Sequence, residues 1–256
     1  MSKTRNAFKQ GKAFIPFLTA GDPNLDTTLK LLECMTENGA DLIEIGIPFS
    51  DPVAEGIVIQ KADERALNSG TTTNKIFLMV EQFRQNHSIP LAFMTYINPI
   101  FVYGVEHFAK RCSELDIDAI IVPDIPFEEK EEIHSAFYAY GIDVISLIAP
   151  TSKDRIQKIA KEAEGFVYCV SSMGVTGVRS TINKDVGKMI KEVKKVNEIP
   201  CAIGFGISTP AQAKEMAELS DGVIVGSAIV RIIEKYGTDS VPHVAKYVKE
   251  MKEAIL

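Results

Sequence analysis

The chain has 256 residues, of which 46% are hydrophobic and 24% are charged. A chain of this size and composition can bury an ordinary hydrophobic core, which argues against disorder, a fibrous repeat or a small disulfide scaffold. The net charge is −6 and no long basic run occurs. Nucleic-acid and anionic-membrane surfaces both need clustered cations, so the composition argues against either function.

The sequence also carries signals about the cellular compartment. No apolar run reaches the ~20 residues that a membrane-spanning helix needs. Residues 1–12 are polar and lack the apolar stretch of a secretory signal. The cysteines, at positions 34, 112, 169 and 201, are too far apart for a CxxC pair or a compact disulfide framework. We therefore expect a cytoplasmic protein with one domain spanning residues 1–256.

Short apolar runs alternate with amphipathic segments of helical period along the whole chain. Predicted strands lie at residues 13–20, 41–48, 90–96, 119–126, 143–149, 166–171, 200–206 and 222–228. Predicted helices include residues 26–37, 74–85, 105–115, 153–164, 184–196 and 211–219. This alternation predicts βαβ units and a parallel sheet, and eight units in about 250 residues match a (β/α)8 barrel.

The predicted fold class is therefore α/β, a (β/α)8 TIM barrel with an extra N-terminal helix and extended βα loops 2 and 6. The alternative is an open doubly wound sheet. It is less favoured because no G-x-G-x-x-G turn follows the first predicted strand.

Four aspartates stand at or just before the start of predicted strands. They are Asp41, Asp118, Asp143 and Asp221. We interpret them as turn and strand-start residues at the amino-terminal rim, the end of a barrel whose residues serve stability.

The second predicted strand carries an acid in an otherwise apolar run. Strand alternation places Ile43, Ile45 and Ile47 toward the helices, and Glu44 in the barrel interior near its carboxyl end. A structural salt bridge would explain a buried carboxylate, but no predicted strand contains a lysine or arginine, which leaves only a cation from a loop. We favour a functional interpretation, because a carboxyl group in a dry site has a raised pKa and exchanges protons near neutral pH.

A long segment follows this strand. Residues 49–73 separate it from the next clear helix, whereas βα loops usually take ~2–6 residues. The segment contains Ser50, Asp51 and a second acid, Glu55, and part of it, Ile57–Asn68, is predicted as an extra short helix. Barrel enzymes place active-site residues on such loops at the carboxyl-terminal rim.

Glycine-rich segments follow the last three predicted strands, at residues 171–177, 204–208 and 226–227. Glycine lets the backbone approach a ligand and turn its N–H groups toward an anion. Thr209 and Ser227 stand at the N-termini of predicted helices, whose positive ends favour phosphate. Three successive clusters are the arrangement with which barrels hold a phosphate. The stretch 172–183 is a candidate lid, although a loop without a catalytic role would have the same composition.

Several long motifs occur in a characteristic order. They are 14–23 (FIPFLTAGDP), 43–52 (IEIGIPFSDP), 94–99 (MTYINP), 123–126 (PDIP), 174–177 (GVTG) and 204–208 (GFGIS). With these motifs the chain resembles the α subunits of tryptophan synthase over essentially its full length. The resemblance implies cleavage of indole-3-glycerol phosphate to indole and glyceraldehyde 3-phosphate, a retro-aldol reaction without metal or organic cofactor.

The resemblance also implies roles for individual residues. Glu44 matches the acid/base that moves protons at indole C3 and the glyceryl hydroxyl, and Glu55 matches a carboxylate that faces the indole N–H. Two carboxyl groups in different surroundings can hold different protonation states. The other expected substrate contacts are the pocket residues Phe17, Met94 and Tyr168, the phosphate binders Gly177, Gly206, Gly226 and Ser227, and Thr176.

Glu55 departs from the family pattern, which usually has aspartate at this position. The extra methylene moves the carboxylate by roughly 1.5 Å, one C–C bond. A shift of ~1 Å in a catalytic group can cost on the order of 10²-fold in rate. Either the loop compensates for the longer side chain or turnover is slow.

The resemblance implies a partner, a pyridoxal-phosphate-bearing β subunit that receives indole in an α2β2 assembly. The residues expected to meet this partner are Pro48, Asp51, Tyr96 and Asn98. There are two alternatives. One is a stand-alone lyase. The other is a binding or regulatory member of the family that has lost the chemistry, which remains open because Glu55 replaces the usual aspartate. The chain could be a different phosphate-binding barrel only if the motif match is misleading.

Overall fold

The computed structural model of the chain describes residues 4–150, 153–170, 179–204 and 206–256, with the backbone alone for residues 179–184. Within these ranges, nine strand segments form one parallel sheet. Their bounds are Ala13–Thr19 (β1), Ile43–Gly46 (β2), Leu91–Met94 (β3), Ala119–Ile121 (β4), Asp143–Val144 (β5), Ser146–Ile148 (β6), Val167–Val170 (β7), Cys201–Gly204 (β8) and Gly222–Val225 (β9).

The sheet closes through its fifth strand. The order of strands is β5-β4-β3-β2-β1-β9-β8-β7-β6, so β5 and β6 lie at its two ends. These two segments are interrupted only at Ile145, whose N–H donates to the Ile120 carbonyl at 2.9 Å. Together they act as one barrel strand, which pairs with β4 on one side and with β7 on the other. The predicted (β/α)8 barrel is confirmed, with the run predicted at 143–149 divided in two.

Helices cover the outside of the barrel. Their bounds are Leu25–Glu37 (α1), Ile57–Asn68 (α2), Thr73–Arg84 (α3), Ile97–Tyr103 (α4), Val105–Glu114 (α5), Glu131–Ala139 (α6), Lys153–Lys161 (α7), Arg179–Lys194 (α8), Pro210–Leu219 (α9), Ser227–Tyr236 (α10) and Val241–Ile255 (α11). All seven helices predicted from periodicity are present. Asn24, Thr72 and Thr209 start α1, α3 and α9 as side-chain N-caps, which satisfy backbone N–H groups of the first turn.

The three predicted additions to the barrel have different outcomes. The extra N-terminal helix is a short 3-10 helix, Thr4–Phe8. The extended second loop consists of residues 47–56 followed by α2. The extended sixth loop, residues 171–178, lies outside the described residues. No helix in the described ranges is long and apolar enough to cross a bilayer.

The barrel wall separates two hydrophobic layers. Ile43, Ile45 and Ile47 pack with the buried faces of the helices in the outer layer. Full burial of side chains of this size contributes roughly 1.5–3 kcal/mol each. Glu44 pairs in register with Ala92, which belongs to the inner layer, so the predicted orientation of the second strand is confirmed. The buried members of the inner layer are Ala7, Ala13, Ile15, Leu42, Ala92, Ala119, Ile121, Ile145, Phe166, Tyr168, Ala202 and Ile224.

The aspartates at the amino-terminal rim tie neighbouring strands together. Asp41, Asp118 and Asp221 each accept a hydrogen bond from a backbone N–H at or beside the start of the adjacent strand. Asp143 accepts one from the hydroxyl of Thr4, in the N-terminal 3-10 helix. Their predicted structural role is confirmed. The three backbone donors are Phe14 at 2.7 Å, Leu91 at 3.0 Å and Cys201 at 2.8 Å.

Candidate active site

Glu44 lies in the barrel interior, and none of the described residues pairs with it. It is 1% exposed and pairs in register with Phe17 of β1 and Ala92 of β3. Neither of its carboxyl oxygens has a hydrogen-bond partner in the described part of the chain. Burial, with a smaller contribution from the charge of Glu55, raises the pKa of Glu44 to about 8. These surroundings lack the cation that a structural salt bridge would require and favour the proton-carrying form at neutral pH.

Glu55 is held by a tyrosine from the neighbouring strand. The Tyr96 hydroxyl donates to the Glu55 carboxyl group and accepts a hydrogen bond from the Ala54 N–H at 2.9 Å. Gln60 Nε2 donates to the Glu55 carbonyl at 2.8 Å, which fixes the backbone at the start of α2. The pKa of Glu55 is raised by burial, while the Tyr96 hydrogen bond opposes the rise and the charge of Asp124 adds to it.

The predicted pocket residues surround Glu44. Tyr168 is buried in the inner layer, and its pKa is raised by burial and by the nearby charge of Glu44. Phe17 lies beside Glu44 on β1, and Met94 packs against Phe17 in a small cluster under α2. Their rings and side chains form an apolar lining at the carboxyl end of the barrel.

Glycines make room for these aromatic rings. A Cβ at Gly204 would lie 2.5 Å from the Tyr168 ring, and one at Gly46 would lie 2.7 Å from the Phe17 ring. A Cβ at Gly226 would lie 3.1 Å from Phe17. These glycines therefore allow close packing around the pocket, which is a steric role separate from anion binding.

The last two helices differ in how their N-termini are satisfied. Thr209 and Gln212 form a capping box at α9, which occupies its first N–H groups. Helix α10 begins at Ser227 after Gly226, and its N-cap residue makes no side-chain capping bond. Gly206 has φ +77°, a left-handed conformation that glycine adopts readily. The predicted binders Thr176 and Gly177 lie outside the described residues.

The residues expected at a partner surface divide into two groups. Asp51 and Asn98 are exposed, as a contact surface requires. Pro48 is buried and Tyr96 is only 2% exposed, because its ring packs on Phe49 with centroids 5.2 Å apart. Pro48 and Tyr96 are internal in the chain by itself, and Tyr96 bonds to Glu55, so their contact with a partner stays a prediction.

Asp63 is a third acid of the site, which the sequence analysis did not identify. It lies on α2, is 5% exposed, and accepts hydrogen bonds from the Thr19 hydroxyl at 3.4 Å and from the Phe49 N–H. Burial, together with the charges of Glu55 and Asp22, raises the pKa of Asp63 to about 8. The sequence contained a pattern that could have identified it. Asp63 lies at helical spacing with Ile59, Ala62 and Ala66, the apolar residues on the buried face of α2.

The chain is similar to one family along its length. The sequence profile described as tryptophan synthase alpha chain matches residues 3–255. The tryptophan synthase alpha chain of Lacticaseibacillus casei is 46% identical over 255 residues, which cover 100% of this chain and 96% of that protein. The tryptophan synthase alpha chain of Alkaliphilus metalliredigens is 45% identical over 244 residues, which cover 94% of this chain and 92% of that protein.

Solved structures share the fold. Tryptophan synthase subunit alpha from Legionella pneumophila has a TM-score of 0.90 and 35% identity, covering 100% of this chain and 98% of that chain. A chain from the tryptophan synthase a2b2 complex of Pyrococcus furiosus has a TM-score of 0.87 and 37% identity, covering 94% and 98%. The similarity thus spans essentially the whole barrel.

Proposed function

Because the chain belongs to the tryptophan synthase alpha chain family, we propose that Glu44 and Glu55 carry the reaction of that family here. The chain is an enzyme subunit, a lyase that cleaves indole-3-glycerol phosphate to indole and glyceraldehyde 3-phosphate in tryptophan biosynthesis. The observation that carries the residue assignment is the buried carboxyl group of Glu44, which has no hydrogen-bond partner among the described residues.

Glu44 can complete the proton transfers of the reaction by itself. Near neutral pH it holds a proton, which it gives to indole C3. The resulting carboxylate then takes the proton of the glyceryl hydroxyl as the carbon–carbon bond breaks. The electrons of that bond restore the indole ring, and the hydroxyl oxygen becomes the aldehyde of the product. Glu44 ends the cycle protonated, so no external acid or base is consumed.

Glu55 stabilises the positive charge that grows on the indole ring after C3 is protonated. A preorganised negative group in a dry site is effective for this purpose, because it need not reorganise during the reaction. The bonds from Tyr96 and Gln60 supply the preorganisation and support loop compensation for the long side chain of Glu55.

The apolar residues around Glu44 and the N-terminus of α10 supply the remaining substrate contacts. Phe17, Met94 and Tyr168 would enclose the indole. The N–H groups of the first turn of α10, next to Gly226 and Ser227, would hold the phosphate, because the positive end of a helix favours an anion. Gly206, and Thr176 and Gly177 from the segment outside the described residues, are proposed to complete the phosphate site.

The partner is the tryptophan synthase beta subunit, as in the a2b2 complex of the Pyrococcus furiosus relative. We propose that the two subunits meet around Asp51 and Asn98. Exposed apolar side chains lie on the same two segments, with Val53 79% exposed and Val102 81% exposed. The bond between Ala54 and Tyr96 links these segments, so the apolar side chains and the catalytic loop belong to one surface. The four cysteines are buried free thiols, which suits the cytoplasm as the site of this reaction.

The proposal is tested by indole release from indole-3-glycerol phosphate, measured with and without added beta subunit. Glu44→Gln keeps the shape of the side chain and removes its proton exchange. We expect kcat to fall by on the order of 10³-fold with little change in KM. Glu250→Gln, an exposed change on α11, is the matched control and should leave both constants unchanged. Wild-type turnover by Glu44→Gln would exclude the assigned role, and full activity without beta subunit would favour a stand-alone lyase.

A further inference from the structure

Helix α2 places one buried acid where three parts of the active-site mouth meet. Asp63 projects from α2 and accepts a hydrogen bond from Thr19, the last residue of β1, at 3.4 Å. It also accepts one from the backbone N–H of Phe49, at the start of the loop that carries Glu55. One side chain therefore connects a barrel strand, the catalytic loop and the helix that follows it.

These contacts complete the attachment of the catalytic loop. Residues 49–55 form a short span whose distal end is held at Ala54 by Tyr96 and at Glu55 by Gln60. Asp63 holds the proximal end at Phe49. Without it, the start of the loop would lose this hydrogen bond and keep the packing of the Phe49 ring on Tyr96. A catalytic group that shifts by ~1 Å can lose on the order of 10²-fold in rate.

The described residues around Asp63 include no cation that balances its charge. The acids that face it are Glu55 from the loop and Asp22 from the segment after β1. Arg65, on the same helix, forms a fork with Asp22 through Nε and an Nη atom, both at 2.8 Å, and its other Nη lies 3.3 Å from Glu234. Its charge is thus engaged with other acids. No cation contributes to the electrostatics of Asp63 within the described residues, and an ionised Asp63 would lie buried beside like charge, which is costly.

We propose that Asp63 is a positioning residue for Glu55, which holds the catalytic loop against strand β1 as an uncharged carboxylic acid. This inference rests on the proposed function. A neutral acid keeps both hydrogen bonds without adding negative charge near Glu55, so Glu55 ionises more readily than it would beside a carboxylate. The raised pKa of Asp63, about 8, agrees with this protonation state at neutral pH.

The kinetic test compares two replacements of Asp63 in the complete chain with beta subunit present. Asp63→Asn preserves an uncharged group of the same shape, and we expect kcat at pH 7 within about threefold of wild type. Asp63→Ala removes the link, and we expect kcat to fall by about 10- to 30-fold with KM changed less than twofold. Asp118→Asn, a buried aspartate at the opposite rim, is the control for burial and should leave kcat unchanged.

Each kinetic outcome decides the proposal. Rescue by asparagine but not by alanine supports it. Equal loss in both variants would show that the charge of Asp63 is required, and full activity of Asp63→Ala would show that the link is dispensable. Either result overturns the proposal. Should Asp63→Ala fail to fold, Thr19→Val removes one hydrogen bond at nearly constant shape and should lower kcat about threefold. Unchanged kcat in Thr19→Val overturns the proposal.

The protonation state is tested without substrate, by NMR titration of protein labelled with ¹³C in the aspartate carboxyl groups only. Glu44 and Glu55 are invisible in this experiment. We expect one aspartate with a midpoint near pH 8, whose signal is absent from Asp63→Asn. A midpoint for Asp63 below pH 5 overturns the proposal. A wild-type protein that releases no indole, with or without beta subunit, contradicts the proposed function instead.

Discussion

The two rims of the barrel use the same chemical group in opposite ways. At the amino-terminal rim, Asp41 accepts hydrogen bonds from the Phe14 N–H and from Lys252 Nζ, both at 2.7 Å. Asp221 accepts similar bonds from the Cys201 N–H at 2.8 Å and from Lys194 Nζ at 2.9 Å. Each of these carboxylates is paired with a backbone donor and a cation.

At the carboxyl-terminal mouth, the acids lie in a buried site to which the described residues bring no cation. Within these residues Glu44 has no partner, and Glu55 and Asp63 receive hydrogen bonds from uncharged donors. Ionisation here costs free energy that the fold does not return, whereas Asp41 and Asp221 at the other rim each have a cation and a backbone donor. A carboxyl group thus becomes structural or chemically active according to its partners.

The largest expected difference between the rims is in the pH dependence of stability. The pKa of Glu44 is raised from an ordinary value near 4.5 to about 8, so its contribution to stability is full below pH 4.5 and is lost as pH rises through 8. Glu44→Gln removes this loss. We expect the free energy of unfolding of the variant, relative to wild type, to rise by roughly 3 kcal/mol between pH 4.5 and pH 7.

Urea unfolding at several pH values measures this change. The quantity of interest is the change with pH, because the buried amide of glutamine adds a constant cost of its own. Glu250→Gln should give a flat difference across the same range. A flat difference for Glu44→Gln would mean that Glu44 is solvated or paired, which would remove the contrast between the rims.

The second acid of the mouth is expected to matter for rate more than for binding. Glu55→Gln keeps the size of the side chain but loses its charge, and we expect kcat to fall by on the order of 10- to 100-fold. Glu55→Asp tests the fit of the loop, since Tyr96 holds the longer side chain and Gln60 holds the Glu55 carbonyl. Indole release should fall in this variant as well. A rise would show that the longer side chain limits turnover and that the loop does not compensate for it.

A change at the amino-terminal rim should have the reverse pattern. Asp41→Ala removes the acceptor of the Phe14 N–H and the partner of Lys252. We expect a loss of about 2 kcal/mol in the free energy of unfolding, measured with urea. The rate of indole release at 25 °C should stay within twofold of wild type. A loss of rate without a loss of stability would contradict the structural role of this rim.

The smallest expected effect concerns the hydroxyl that holds Glu55. Tyr96→Phe leaves the ring against Phe49 but removes one bond to the carboxyl group and one from the Ala54 N–H. We expect kcat to fall about fivefold, near 1 kcal/mol, with KM almost unchanged. Tyr138→Phe, an exposed change on α6, serves as the control. An effect on KM alone would indicate that Tyr96 contacts substrate rather than Glu55.

Local patterns were enough to predict most of the fold. The alternation of apolar runs and amphipathic segments predicted the strands, seven helices and the inward direction of Glu44, because strand and helix periods are properties of neighbouring residues. They did not predict the interruption of the fifth strand at Ile145, which depends on pairing with β4 and β7. The patterns did not predict the burial of Pro48 and Tyr96 for a similar reason, since burial at a loop depends on which rings meet there.

The sequence by itself determined the barrel and the position of Glu44 in it. Strand alternation places Ile43, Ile45 and Ile47 toward the helices, and Glu44 therefore points into the barrel. Only the tertiary structure decided that no cation from a loop reaches Glu44 in the described part of the chain, and that Tyr96 and Asp63 bond to the loop of Glu55. Partners that lie far apart in sequence set the charge of a buried acid, and they come together only when the chain folds.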